Sequence, residues 1–91
     1  MDPQFTGKGE ALPLGAFEAF YAAGHWLYSQ RRFEDAITVF RAVVRLAPSD
    51  ERGWLALGAC HEALDGHDVA LELYDEARRL RERLAAQGER S

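Results

Sequence analysis

Covalent and metal bracing are nearly absent from this sequence. It contains a single cysteine, Cys60, which rules out an internal disulfide and leaves a structural zinc site without its thiolates. No run approaches the ~20 continuous apolar residues that a membrane helix needs. The opening, Met1-Asp2-Pro3-Gln4-Phe5, has neither the basic nor the apolar region of a secretory signal, so the cytoplasm is the expected compartment. Alternation with a period of two is missing, and strands are not expected. Basic charge is scarce along most of the chain: residues 1–77 hold 13 acids against 6 bases, net minus 7, while residues 78–91 hold 2 acids against 5 bases, net plus 3. Only Arg78, Arg79, Arg81 and Arg83 cluster, where they suit the negative end of a helix dipole. No nucleic-acid partner is expected from such a body. With 91 residues there is room for one small domain and too little for most enzyme architectures. Packing alone gives a core of this size only about a few kcal/mol, which already points to a partner or a second copy.

What is present is helical. Met1 to Pro13 shows no apolar period and reads as a disordered leader, whose first residues also fit a cloning remnant. Its Gly7-Lys8-Gly9 lacks the spacing of a phosphate loop, and no cofactor is expected. From Leu14 onward, segments of about 14 residues with three- and four-residue apolar spacing alternate with short polar breaks. The first runs from Ala16 to Ser29 with Phe17, Phe20, Tyr21, Ala23, Gly24, Leu27 and Tyr28 in phase. The second, Phe33 to Leu46, opens on Glu34 and Asp35 and carries Ala36, Ile37, Phe40, Val43 and Val44. Pro48 ends it. Ser49 or Asp50 caps a third, Glu51 to Leu64; Asp65-Gly66 makes the next turn, and a fourth spans Asp68 to Ala86.

The chain also repeats itself, with a period of about 34 residues. Phe20 falls on Trp54, Ala22 on Ala56, Gly24 on Gly58, Phe33 on His67, Ala36 on Ala70, Phe40 on Tyr74 and Leu46 on Leu80. Small residues such as Gly24 and Ala36 let two antiparallel helices approach, while Phe20, Phe33 and Phe40 fill the space on either side. The expected architecture is all-α: two helical hairpins, residues 17–50 and 51–84 of a domain spanning 14–86, followed by a frayed tail over 87–91. This pattern of large residue, Gly, aromatic, Ala, aromatic and Pro resembles the tetratricopeptide repeat. The second unit has Glu82 where Pro would stand, so the fourth helix is expected to run on as a C-terminal cap.

A narrower resemblance lies in Tyr28-Ser29, Arg32-Phe33-Glu34-Asp35-Ala36, Val39-Phe40-Arg41-Ala42-Val43 and Leu57-Gly58-Ala59-Cys60-His61-Glu62-Ala63. These look like the type III secretion chaperones that hold hydrophobic translocator proteins, a family with a third repeat and a longer N-terminal helical region. The resemblance implies a chaperone-like protein whose concave groove receives an extended apolar segment of a secreted client, with Tyr21, Tyr28 and Phe33 at groove or groove-supporting positions.

Repeat geometry places the first helix of each hairpin on the concave face, so the groove residues are expected to be Glu18, Tyr21, His25 and Tyr28 from the first helix and Arg52, Leu55, Ala59 and Glu62 from the third. Tyr21, His25 and Tyr28 form an amphipathic aromatic strip suited to an apolar peptide; the alternative is that the tyrosines pack on the protein's own N-terminal segment. Tyr21, His25 and Ala56 cannot make the cationic clamp with which other tetratricopeptide repeats hold a C-terminal carboxylate. His61 and His67 stand six apart across Asp65-Gly66, which is not zincin spacing, and Cys60 has no base beside it in sequence; neither a metal nor a catalytic site is expected. Two hairpins leave an edge uncovered, and Leu14, Phe17, Leu71, Leu73, Leu80 and Leu84 are the candidates for self-association. The competing reading is an assembly adaptor acting as a homodimer or a fixed subunit of a larger complex.

Overall fold

A computed structural model describes residues 15–90; the leader expected over 1–13, together with Leu14, lies outside the described residues. Four helices follow in order, α1 (Ala16–Ser29), α2 (Phe33–Leu46), α3 (Glu51–Ala63) and α4 (His67–Arg90), and among the described residues there is no strand. Each helix packs against the next in sequence, and α1 also touches α3. The result is two antiparallel hairpins, α1/α2 and α3/α4, stacked through α2 and α3.

The internal repeat extends to individual backbone hydrogen bonds. In the first turn the Arg32 N–H donates to the Leu27 carbonyl at 2.9 Å and the Arg31 N–H to that of Tyr28 at 2.9 Å. In the second, the Gly66 N–H donates to the His61 carbonyl at 2.7 Å and the Asp65 N–H to that of Glu62 at 3.0 Å. Both are Schellman closures, which require a left-handed residue after the helix. That residue is Arg31, φ 63°, in one turn and Asp65, φ 64°, in the other. The second turn therefore bends at Asp65 rather than at the neighbouring glycine. Gly66 serves another purpose: a Cβ there would lie 3.2 Å from the His61 carbonyl oxygen.

The core is the α2/α3 seam. Ile37, Phe40 and Val43 from α2 form one buried cluster with Ala36, Ala56, Leu57 and Cys60, and Phe17, Tyr21, Leu27, Tyr28, Val44 and Leu73 pack on its edges. Within each hairpin the helices close over a glycine. A Cβ on Gly24 would meet the Phe40 ring at 2.5 to 2.9 Å, and one on Gly58 would meet the Tyr74 ring at 2.6 to 3.2 Å, so the Gly-aromatic pair recurs at the same place in both units.

Two expectations are corrected. Phe20 does not fill the interhelical space; it is 42% exposed. Its counterpart Trp54 is half-buried and anchored by an indole N–H donated to the Pro48 carbonyl at 2.9 Å, whereas the residue that corresponds to Pro48 for Phe20 is Leu14, outside the described residues. The fourth helix also runs longer than expected: α4 continues past Ala86 to Arg90. No proline stops it, and an exposed Gly88 weakens a helix by only about 1 kcal/mol relative to Ala. A ladder of i,i+3 and i,i+4 ion pairs supports it upstream: Arg78 with Asp75 and Glu82, and Arg79 with Asp75 at 2.8 Å and Glu76 at 3.1 Å. The Arg78 guanidinium holds the Asp75 carboxyl below its usual range.

Candidate functional site

Three rings of α1, those of Phe17, Tyr21 and His25, form a continuous strip. Tyr21 stacks on Phe17, centroids 5.6 Å apart and planes 14° apart, and meets His25 edge-on at 4.5 Å. Phe40 reaches up from α2 behind both, 6.0 Å from Tyr21 and 5.3 Å from His25. Further along, Tyr28 meets Phe33 edge-on at 5.2 Å. Tyr21 and Tyr28 are half-buried, and His25 is exposed. The two tyrosines thus serve the core on one side and remain open on the other, so deleting them removes packing as well as surface.

Arg52 joins the two first-helices. Its guanidinium lies over the rings of Phe17, at 4.5 Å, and Tyr21, at 5.4 Å, with Glu18 at 3.4 Å. Asp50 fixes it from the other side, accepting from Nε at 3.1 Å and Nη2 at 2.9 Å. Asp50 is at the same time the N-cap of α3, accepting from the Arg52 backbone N–H at 3.0 Å. The side-chain hydrogen bond from Arg52 holds the Asp50 carboxyl below its ordinary value and raises the guanidinium further. This fork-shaped pair orients the cation flat on the aromatic strip.

At the opposite end Glu62 accepts from the Tyr74 hydroxyl at 2.8 Å. Burial first, and then the Glu62 carboxylate, push the Tyr74 phenol up to about 12. Glu62 is therefore tied to α4 rather than free at a rim. Leu55 and Ala59 lie half-buried on α3. Of the expected groove residues, Glu18, Tyr21 and Arg52 meet directly and His25 joins them through Tyr21; Tyr28 and Glu62 sit at the Phe33 and Tyr74 ends.

Phe17 belongs to this strip and not to an outer face. Leu80 is buried within the second hairpin and Leu73 is packed against the core, so neither is available for self-association. Leu71 and Leu84 are exposed, and Leu84 borders a depression with Ala47 and Pro48. Sequence reasoning missed Asp50 as the holder of Arg52 and Tyr74 as the partner of Glu62. The signals were present: an N-cap acid two residues before an arginine, and a tyrosine where the first repeat has phenylalanine. Cys60 is fully buried, and burial pushes its thiol up to about 11, far from a nucleophile's range. His67 is exposed and only 3.8 Å from Asp65.

A model of the tetratricopeptide repeat matches residues 17–60. With paired helices, Gly-aromatic contacts and turns recurring from one unit to the next, that match decides the architecture. The fold is that of two tetratricopeptide repeats. Among solved structures, this chain is similar to the type III secretion translocator chaperone SycD of Yersinia enterocolitica, crystallised as an alternative dimer. The TM-score is 0.74 at 31% identity, covering 78% of this chain and 54% of that one. In sequence it is 37% identical over 57 residues to the low calcium response locus protein H of Yersinia pestis and of Yersinia pseudotuberculosis, covering 63% of this chain and 34% of each relative. The matched part thus spans about a third of those relatives and about half of the solved chaperone. Among the described residues no helix is long and apolar enough to cross a membrane.

Proposed function

We propose that this chain is a non-enzymatic, cytoplasmic chaperone-like module that holds an extended apolar segment of a secreted client, such as a translocator, in the groove between α1 and α3. Repeats 17–50 and 51–84 form the binding unit. The observation that carries this reading is the aromatic strip: Phe17, Tyr21, His25 and Tyr28 run along one face of α1, backed by Phe40 and topped at one end by Arg52. Likeness to a translocator chaperone supports it.

The chemistry suits capture. Tyrosine rings already held by core packing lose little entropy on binding and present a hydroxyl to a peptide backbone. Arg52, flat on the rings and neutralised by Asp50 and Glu18, closes one end of the strip without leaving an unpaired charge in it. Arg52 with Glu18 and Asp50 sums to one net negative charge, so an acidic residue at that end of the segment is disfavoured by like charge, which gives register.

The test is fluorescence anisotropy with overlapping labelled peptides from the translocators of the protein's host. Ala59→Arg places a long side chain in the groove from a half-buried position on α3. It should weaken peptide binding by about tenfold or more while circular dichroism is unchanged. Equal affinity of the variant and the wild type would rule the groove out.

A further inference from the structure

The internal repeat allows each face of the molecule to be compared with its own counterpart in the other hairpin. On α3, the face formed by Gly53, Ala56, Leu57 and Cys60 is buried, and α2 covers it with Ile37, Phe40 and Val43. A Cβ on Gly53 would be 3.0 Å from Val43 and 3.2 Å from Val44. Val44 therefore stands opposite Gly53, and antiparallel register puts Ile37 opposite Cys60. The counterparts on α1 are Ala19, Ala22, Ala23 and Trp26, and every one is exposed. Those of Ile37 and Val44 on α4 are Leu71 and Arg78, also exposed. The contrast is large: Cys60 is 0% exposed against 58% for Trp26, and Ile37 is 8% exposed against 66% for Leu71. Two of the most exposed large apolar side chains of the described protein thus mark the two halves of one seam.

We propose that a second copy of this chain stacks head-to-tail, with the α4 face of one copy (Leu71, Tyr74, Arg78) seated on the α1 face of the next (Ala19, Ala22, Ala23, Trp26), continuing the α2/α3 step between molecules. In that register Leu71 meets Trp26 as Ile37 meets Cys60. Arg78 takes the place of Val44 and comes beside Ala19, next to Glu18. Shape favours the pairing: the α1 face is small apart from Trp26, as the α3 face is small, and α4 offers Leu71 and the Tyr74 ring in the places that Ile37 and Phe40 take in the α2/α3 seam. A two-fold pairing of α1 with α1 has no such seam to continue and leaves Leu71 uncovered. The surface is distinct from the groove, because Tyr21, His25 and Tyr28 lie on another side of α1, and it stands independently of client binding. A 14-residue helix is about 21 Å long, so the contact is at or below the roughly 1,000 Å² typical of stable interfaces. Association is accordingly weak, concentration-dependent and, being heterologous, open-ended.

Sedimentation equilibrium of the full chain from about 10 µM to about 1 mM, the range where weak contacts of this kind are populated, tests it with Trp26→Glu and Leu71→Glu. The wild type should exceed the mass of a dimer at the upper end, and each variant alone should stay monomeric. An equimolar mixture of the two variants keeps one intact α4 face and one intact α1 face, and should form dimers and stop there. Wild type that remains monomeric, association that ends at a dimer, variants that associate as well as wild type, or a mixture no heavier than its components would each overturn the proposal. Should either glutamate lower helicity, Trp26→Gln and Leu71→Gln repeat the test without the added charge.

Discussion

The two hairpins share a backbone plan, yet their central aromatics live in different surroundings. Phe40 is fully buried because α3 follows α2 and closes over it. Tyr74 occupies the same position in the second unit, but among the described residues no further helix packs over α4, and the ring stays half-buried with its hydroxyl on Glu62. Each ring presses against a glycine on its own hairpin partner. Position in the stack, more than position in the repeat, therefore decides how firmly a ring is held, and the first hairpin is expected to carry more of the stability than the second. A phenol is the residue suited to the second site, since it packs like phenylalanine and still satisfies a wet edge.

The largest test of this difference is truncation of the rings. Phe40→Ala should cost about 3–5 kcal/mol, enough to unfold a domain of this size in a urea titration followed by circular dichroism. Tyr74→Ala should cost less than that, because its ring is only partly removed from water in the folded protein. Comparable losses from the two would erase the distinction drawn between the hairpins.

Adding a methyl group probes the same contacts with a smaller perturbation. Gly24→Ala forces a Cβ against a ring that has nowhere to go, whereas Gly58→Ala meets a ring that can swing outward after releasing Glu62. Overpacking of about 1–3 kcal/mol is expected at Gly24 and less at Gly58, where Ala's better helix propensity offsets about 1 kcal/mol. Urea midpoints in the reverse order would show that the second ring is the more rigid.

Base acts on the second hairpin, which holds both Cys60 on α3 and Tyr74 on α4. Cys60 is raised from 9.0 to about 11 and Tyr74 from 10.0 to about 12. Groups whose folded values are raised contribute fully below their unfolded values, and the contribution is lost as pH rises through the folded ones. Thermal stability should therefore decline from about pH 9 toward pH 12. Cys60→Ala should remove the earlier part of that decline and Tyr74→Phe the later part, as read from melting curves at a series of pH values. Asp50 acts at the acid end: its lowered carboxyl stabilises above the ordinary carboxylate range, and that contribution is lost as pH falls through the folded value. Asp50→Ala also removes the α3 cap, a further loss of about 1 kcal/mol.

The smallest expected effects lie in the turns. Arg31 and Asp65 both adopt left-handed backbone, a conformation that glycine takes freely and aspartate tolerates better than arginine. Arg31→Gly should raise stability by up to about 1 kcal/mol and Asp65→Gly by less. The guanidinium of Arg31 over Phe33, at 5.6 Å, reduces the first gain. A loss at either turn would mean that the side-chain contact outweighs the backbone strain.

The limits of α1 and α2 were readable in the sequence because polar breaks and Pro48 bound them, and the repeat was readable because size class recurs between the two units. The end of α4 was not, since no proline or closing turn marks it and a chain of ion pairs carries the helix onward. At the groove, Glu18, Tyr21 and His25 could be placed on one face from spacing alone. That Arg52 lies flat across Phe17 and Tyr21 depends on how α3 stacks beside α1, a tertiary relation that no periodicity encodes. Spacing alone leaves Phe17 on an outer face for the same reason, and leaves Leu80 open because it does not show which side of α4 packs on α3.

The groove itself is tested most directly by nuclear magnetic resonance of the isotope-labelled full chain titrated with an apolar translocator peptide. If the groove of α1 and α3 receives the segment, the amide shifts will concentrate at Tyr21, His25, Tyr28, Leu55 and Ala59 and leave α4 beyond Leu80 unmoved. Shifts confined to α4 or to the outer face at Ala19, Ala22 and Trp26, or no shifts at saturating peptide, would contradict it.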